Sequence, residues 1–211
     1  MPHCWQDARP RAKSSSKPAS DSILAAGNIR AERRVPCAKR PGEDALNDTE
    51  TLSPLLPNET EEATRRLLAK ACERDLMFAT AESCTGGMLA SLLTDVKGVA
   101  HAFDRGFVTY TNEAKAEMLG VPIALIDDKG AVSKEVAIAM AEGALTRSRA
   151  NIALSITGFA DFGDEPGLVH FGCARAGRTT LHREEHFGPG GRGATRVKCM
   201  QTAIEMMTEM L

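Results

Sequence analysis

Between Ala79 and Gly87 the chain turns from strand to helix within a few residues. Met77–Ala81 reads as a strand with β-branched Thr80, and Glu82-Ser83-Cys84-Thr85 forms a short polar turn. The pair Gly86-Gly87 then opens an apolar helical run over Gly87–Leu93. That order is how layered α/β folds are built. It places Ser83 at a helix N-terminus, among backbone N–H groups that have no partner within the helix. Such a place can hold a phosphate, or stabilise an oxyanion beside a nucleophilic hydroxyl.

The same alternation continues from residue 58 to the end. Asn58 or Thr60 can cap a first helix with Glu59, Glu61 and Glu62 in its opening turn; Leu67, Leu68, Ala71 and Cys72 form its apolar stripe. Phe107–Tyr110 is a second strand, followed by Asn112 and a helical run over Glu113–Leu119. Ser133 caps a helix with Val136, Ala137, Met140, Ala141, Ala144 and Leu145 on one face. Asn151–Ile156 is nearly continuous in apolar residues, as in a strand covered on both faces. Leu168–Ala174 and Thr179–Phe187 read as a strand pair turning at Gly177, and a last helix runs from about Arg192 to Met210. The pattern predicts one α/β/α layered domain over residues 58–211, with a mixed, mainly parallel sheet and no internal repeat.

Residues 1–57 differ in kind. The first 40 carry nine Lys/Arg against three Asp/Glu, with Ser14-Ser15-Ser16 and several prolines, and only Ile23–Ala26 resembles an apolar cluster. Such a segment buries too little apolar surface to offset its chain entropy, so a disordered basic extension is expected, ending at Pro54–Pro57. A solvated tail, a targeting segment and a wrongly chosen start codon are the three explanations. A formal charge of −2 gives no global case for nucleic acid or membrane binding, and 4% aromatics argues against a base-stacking platform. The apolar runs are too short for a membrane span. Six cysteines (4, 37, 72, 84, 173, 199) form neither a C-x-x-C pair nor a zinc-spaced Cys/His cluster. Reduced thiols in a cytoplasm, and no metal, are therefore expected.

A serine hydroxyl needs a base to take its proton. The histidines (3, 101, 170, 182, 186) follow no triad pattern, and the Gly-x-Ser-x-Gly elbow is absent. A lysine whose pKa is lowered by burial can serve instead. Lys115, five residues after Tyr110 at a second strand-to-helix turn, is the best candidate. Ser83, Tyr110, Lys115 and Thr157-Gly158 would then share the carboxyl edge of the sheet, where active sites of parallel sheets gather. The duller alternatives are plain: Ser83 and Thr85 as helix caps, Tyr110 as core, Lys115 as a solvated charge, Thr157-Gly158 as a turn. Cys84 is expected to pack inward. Arg192 and Arg196 share one face at the start of the last helix, where a cation opposes the dipole and an anionic ligand would compensate it.

Four runs carry a resemblance to a known family: Thr80–Gly87 (TAESCTGG), Gly106–Lys115 (GFVTYTNEAK), Gly130–Ser133 (GAVS) and Ala141–Ala144 (AEGA). Over about residues 60–211 the chain resembles the C-terminal domain family of the competence/damage-inducible protein CinA. The resemblance implies nicotinamide-nucleotide amidohydrolase (nicotinamide mononucleotide deamidase) activity, which converts the carboxamide to the acid, releases ammonia and serves pyridine nucleotide recycling. It implies Ser83 as nucleophile and Lys115 as base, with Tyr110 and Thr157 lining the site. Thr85, Gly86, Gly87, Gly158, Arg192 and Arg196 would bind substrate, one arginine holding the phosphate. It implies a small-molecule nucleotide partner, no cofactor or metal, no nucleic acid or membrane, and self-association into a homo-oligomer. The first 57 residues are too short to be the nucleotide-processing N-terminal domain of full-length CinA proteins. One stretch departs from the family. Where a Gly-Ile-Ala-Gly-Pro-Gly-Gly-type loop is usual, Gly158–Gly167 holds two Phe and three acids. Acids near a phosphate repel it, so a catalytically altered or inactive nucleotide-binding homologue is the alternative.

Overall fold

The computed structural model describes residues 56–211. The extension expected over residues 1–57 therefore lies, but for its last two residues, outside the described part. Helix α1 (Asn58–Glu73) buries Thr60, Thr64, Leu67, Leu68, Ala71 and Cys72, one face at helical spacing. Pro57 stands at its N-cap, and no side chain caps it. The caps expected of Asn58 or Thr60 are not formed because both lie inside the helix, which Pro57 starts through its fixed φ of −61°.

Strand β1 (Phe78–Glu82) is buried at every position and is an inner strand of the sheet. Helix α2 (Met88–Thr94) follows, then β2 (Phe103–Val108), α3 (Asn112–Leu119), α4 (Ile123–Lys129) and α5 (Lys134–Thr146). Strands β3 (Ile152–Gly158), β4 (Leu168–Arg175) and β5 (Leu181–His186) come next, and α6 (Gly191–Glu209) closes the chain. The sheet order is β2-β1-β3-β4-β5. β1 pairs in parallel with β2 and β3, while β3–β4 and β4–β5 are antiparallel. Four of the five strands thus run the same way, giving the mixed, mainly parallel sheet expected from the sequence.

Alternation along the strands divides the core in two. Phe78, Ile152, Leu154, Ile156, Val169 and Phe171 face the layer of α1, α2 and α6. Ala79, Ala81 and Ala153 face α3, α4 and α5. Small residues let the second layer approach closely. Ser155 Oγ donates to the Ala137 carbonyl at 2.5 Å, and a Cβ on Gly172 would meet that carbonyl at 2.5 Å. The Ser133 cap forms as expected, its Oγ accepting from Val136 N at 3.3 Å, and Thr111 caps α3 by accepting from Ala114 N at 3.1 Å.

Two elements differ from the sequence reading. Strand β2 begins at Phe103 rather than Phe107, because Asp104-Arg105-Gly106 sits at an edge where polar side chains reach solvent and ion pairs. Helix α4 was not expected; it is a short helix of about two turns that Pro122 initiates. The crossovers fix where a ligand can bind. The β1–β2 connection passes through α2 on one face, and the β2–β3 connection through α3–α5 on the other. Adjacent strands whose connections lead away in opposite directions along the sheet leave a crevice at their carboxyl ends. Here that crevice lies between β1, which leads to β2, and β3, which leads to β4. Among the described residues no helix is long and apolar enough to cross a membrane.

Candidate active site

Ser83 ends β1 at this crevice. Its backbone N donates to the Ile156 carbonyl at 2.9 Å, and Thr109 N donates to the Glu82 carbonyl at 2.8 Å, so the ladder grips the Ser83 turn from both neighbouring strands. Lys115 reaches the same point from the first turns of α3. Its Nζ lies 3.2 Å from Ser83 Oγ, 2.9 Å from the Thr109 carbonyl and 3.5 Å from the Tyr110 carbonyl. Ser83 is 9% exposed and Lys115 1%. Burial pushes the Lys115 pKa down, against the weaker upward pull of Cys84 and Glu113. A buried amine touching a hydroxyl, with its charge disfavoured, is what a lysine general base requires.

Glu82, which the sequence reading passed over, organises the turn. Its buried carboxylate accepts from Gly87 N (3.1 Å), Leu89 N (3.0 Å) and Ala90 N (2.8 Å), and from the hydroxyls of Thr85 (2.7 Å) and Thr80 (3.3 Å). It is the cap of α2, an anion at the positive end of the helix dipole. The N–H groups thought open to a ligand are therefore largely engaged. Gly86 N donates to the Ser83 carbonyl and Met88 N to the Thr85 carbonyl. The signal was present in the sequence, as an acid placed just before a helix start. The turn itself needs Gly86 (φ 63°) and Gly87 (φ 95°), both left-handed.

The other expected site residues divide. Cys84 packs inward as anticipated, and its pKa is lowered chiefly by a hydrogen bond with the Cys199 thiol of α6. Arg196 joins the site; its Nε donates to the Cys84 carbonyl at 2.8 Å, tying α6 to the Ser83 turn beside Gly86. Arg192 stands exposed in the first turn of α6. Tyr110 offers Lys115 its carbonyl, while its side chain is 64% exposed, so it is not core. Thr157 is buried beside the site, but its hydroxyl donates to the Ala131 carbonyl at 2.7 Å. Gly158 has a packing reason to be small, since a Cβ there would meet the Leu168 carbonyl at 2.7 Å. The departing loop folds on itself: Gly167 N donates to the Phe159 carbonyl at 2.7 Å, and Glu165 turns away to His186 Nδ1 at 2.5 Å. A groove of about 650 Å³ between α1 and α6 holds none of these residues.

A buried serine–lysine pair at the switch point of a three-layer α/β sheet defines a class of serine–lysine sites, and the comparisons place the chain. The profile of the CinA C-terminal domain matches residues 60–211, and the chain belongs to that family. The nicotinamide-nucleotide amidohydrolase PncC of Escherichia coli K12 is 44% identical over 139 residues, covering 64% of this chain and 84% of that protein. A competence-damage inducible relative from Symbiobacterium thermophilum is 52% identical over 122 residues. This chain spans only 28% of that longer protein's length. Among solved structures, the competence/damage inducible protein CihA from Agrobacterium tumefaciens superposes with a TM-score of 0.72 at 43% identity. That alignment covers 74% of this chain and 98% of CihA.

Proposed function

We propose that this chain is an amidohydrolase of the nicotinamide-nucleotide type, working through a Ser83–Lys115 acyl-enzyme. The observation that carries the reading is the 3.2 Å contact between Lys115 Nζ and Ser83 Oγ at a buried site. The activity named for the Escherichia coli relative supports the substrate class.

Neutral Lys115 takes the Oγ proton as Ser83 attacks the carboxamide carbon, forming a tetrahedral oxyanion. Lys115 then delivers that proton to the leaving nitrogen, and ammonia departs. Water attacks the ester, giving its proton to Lys115, and collapse releases the nicotinate-type acid with Oγ reprotonated. With Gly86 through Ala90 engaged, the N–H groups of Cys84 and Thr85 are the turn's donors for the oxyanion. Arg196, fixed against the turn, supplies positive charge for a substrate phosphate. No cofactor enters this scheme, and we place the enzyme in pyridine nucleotide recycling.

One observation favours the second reading, a nucleotide-binding homologue without turnover: Asp164 is exposed on the loop that departs from the family, and Asp161 is half-exposed beside it. Ammonia release from nicotinamide mononucleotide decides between them. Turnover by the wild type and none by Ser83→Ala supports the hydrolase; equal binding without turnover in both supports the alternative.

A further inference from the structure

On the face of β4–β5 turned toward the α3–α5 layer, two strands along the sheet from β1 and Ser83, three potential metal ligands converge. His182 and Glu184 are two apart on β5 and so share a face, and the ladder sets His170 of β4 directly opposite Glu184. His170 Nδ1 lies 3.1 Å from His182 Nε2 and 3.5 Å from Glu184 Oε2, and the three ligand atoms all fall within 4.8 Å of one another. Tetrahedral zinc with bonds of about 2.05 Å separates its ligand atoms by about 3.3 Å. The two shorter separations bracket that value.

Surroundings match the needs of a metal site. His170 is buried and His182 half-buried, and burial pulls both imidazoles below their usual pKa, so both offer lone pairs at neutral pH. The second carboxylate oxygen of Glu184 is held by His186 Nε2 at 2.9 Å, and His186 Nδ1 is held in turn by Glu165 at 2.5 Å. That chain fixes the orientation of the anionic ligand from its outer side, as partners of ligating carboxylates do. Glu135 and Lys134, at the start of α5, act on the cluster with opposing charges. The spacing rules for sequence motifs miss such a site, because its ligands are brought together by strand register.

We propose that His170 Nδ1, His182 Nε2 and Glu184 Oε2 bind one Zn²⁺ or similar imidazole-preferring divalent ion, with water at the fourth position, pinning β5 to β4. Two nitrogens among three ligands select against Mg²⁺ and Ca²⁺. The test is equilibrium dialysis of the reduced full chain against Zn²⁺, with Mg²⁺ in parallel, for wild type, His182→Gln, Glu184→Gln and His186→Ala. Visible spectra with Co²⁺ as the probe report the ligand type. We expect the wild type to hold one more Zn²⁺ than His182→Gln. Affinity should fall at least tenfold in Glu184→Gln and about 10–100-fold in His186→Ala, while Co²⁺ gives tetrahedral bands without sulfur charge transfer. Glu184 is exposed, so its variant keeps the fold when β5 unpins. Equal zinc content in wild type and His182→Gln overturns the proposal, as does a Co²⁺ spectrum showing thiolate ligation alone or equal retention of Mg²⁺.

Discussion

Replacing Lys115 by methionine separates chemistry from folding at the one contact on which the proposed mechanism depends. Methionine fills much the same buried volume but brings neither a proton acceptor nor a donor. Three acceptors lose their partner: Ser83 Oγ and the carbonyls of Thr109 and Tyr110. A general base contributes about 10²–10⁴ in rate, or about 3–5.5 kcal/mol of barrier at about 1.4 kcal/mol per decade. Stability should respond far less. An unpartnered buried carbonyl costs about 1–3 kcal/mol, which is offset by removing an amine whose burial already disfavours its charged form. Ammonia release by Lys115→Met should therefore fall at least a hundredfold, with a melting temperature within several degrees of wild type, at about 2–4 °C per kcal/mol. The pH dependence gives an independent check. The folded Lys115 loses its proton below the 10.5 of a solvated lysine, so between those two points the unfolded chain binds more protons. Wild-type stability gains as pH rises through that window, and the methionine variant should lack that gain. Activity above a tenth of wild type in Lys115→Met refutes the base assignment.

Lys115→Arg should be as inactive as the methionine variant, since guanidinium does not surrender its proton near neutrality; recovered turnover would point to a purely electrostatic role. Glu113→Gln removes a charge that holds the Lys115 pKa up, so the rising limb of kcat/KM should move to lower pH, and a shift upward contradicts the assignment. Glu82→Gln sets an amide NH₂ among the backbone donors that the carboxylate now accepts from. Chemical denaturation should show a loss of about 2–4 kcal/mol, with turnover falling as the Ser83 turn loosens. Gly172→Ala forces a methyl against the Ala137 carbonyl and Ser155 Oγ, and should cost about 1–3 kcal/mol in the same assay.

The layered architecture was readable because its signals are local. Apolar stripes at helical spacing gave α1 and α5, the Ser133 cap marked where α5 begins, and the apolar run before Thr157 gave β3. What escaped was decided by tertiary position. The start of β2 looks polar because it is an edge strand, and Asp104 there answers to Arg149, 45 residues away. The pairing of Ser83 with Lys115 rested on two strand-to-helix turns sharing an edge, and the sheet order supplies that edge. Arg192 and Arg196 stand together in the sequence as candidates for a phosphate, and no local pattern revealed that Arg196 Nε holds the Cys84 carbonyl from α6. Thr157 and Gly158 stood at the right edge for reasons that are partly packing.

Three consecutive residues show how one turn serves several ends. Glu82 points under α2 and takes up the helix's own N–H groups, Ser83 sits against Lys115, and Cys84 packs toward α6. An anion binding at α2 would have to compete with a carboxylate that is already covalently in place, and the dipole cannot serve both. Under the proposed function a substrate phosphate would therefore find its charge elsewhere, and Arg196 is a cation held beside the turn. The division has a consequence for the chemistry. With α2 closed by Glu82, Ser83 gains rigidity from the helix without the helix's field acting through open N–H groups, so under the proposed mechanism its activation falls to Lys115. The depth at which Lys115 lies, 1% exposed against two carbonyls and one hydroxyl, pulls its pKa down, and under the proposed mechanism that depth sets the pH at which the site works.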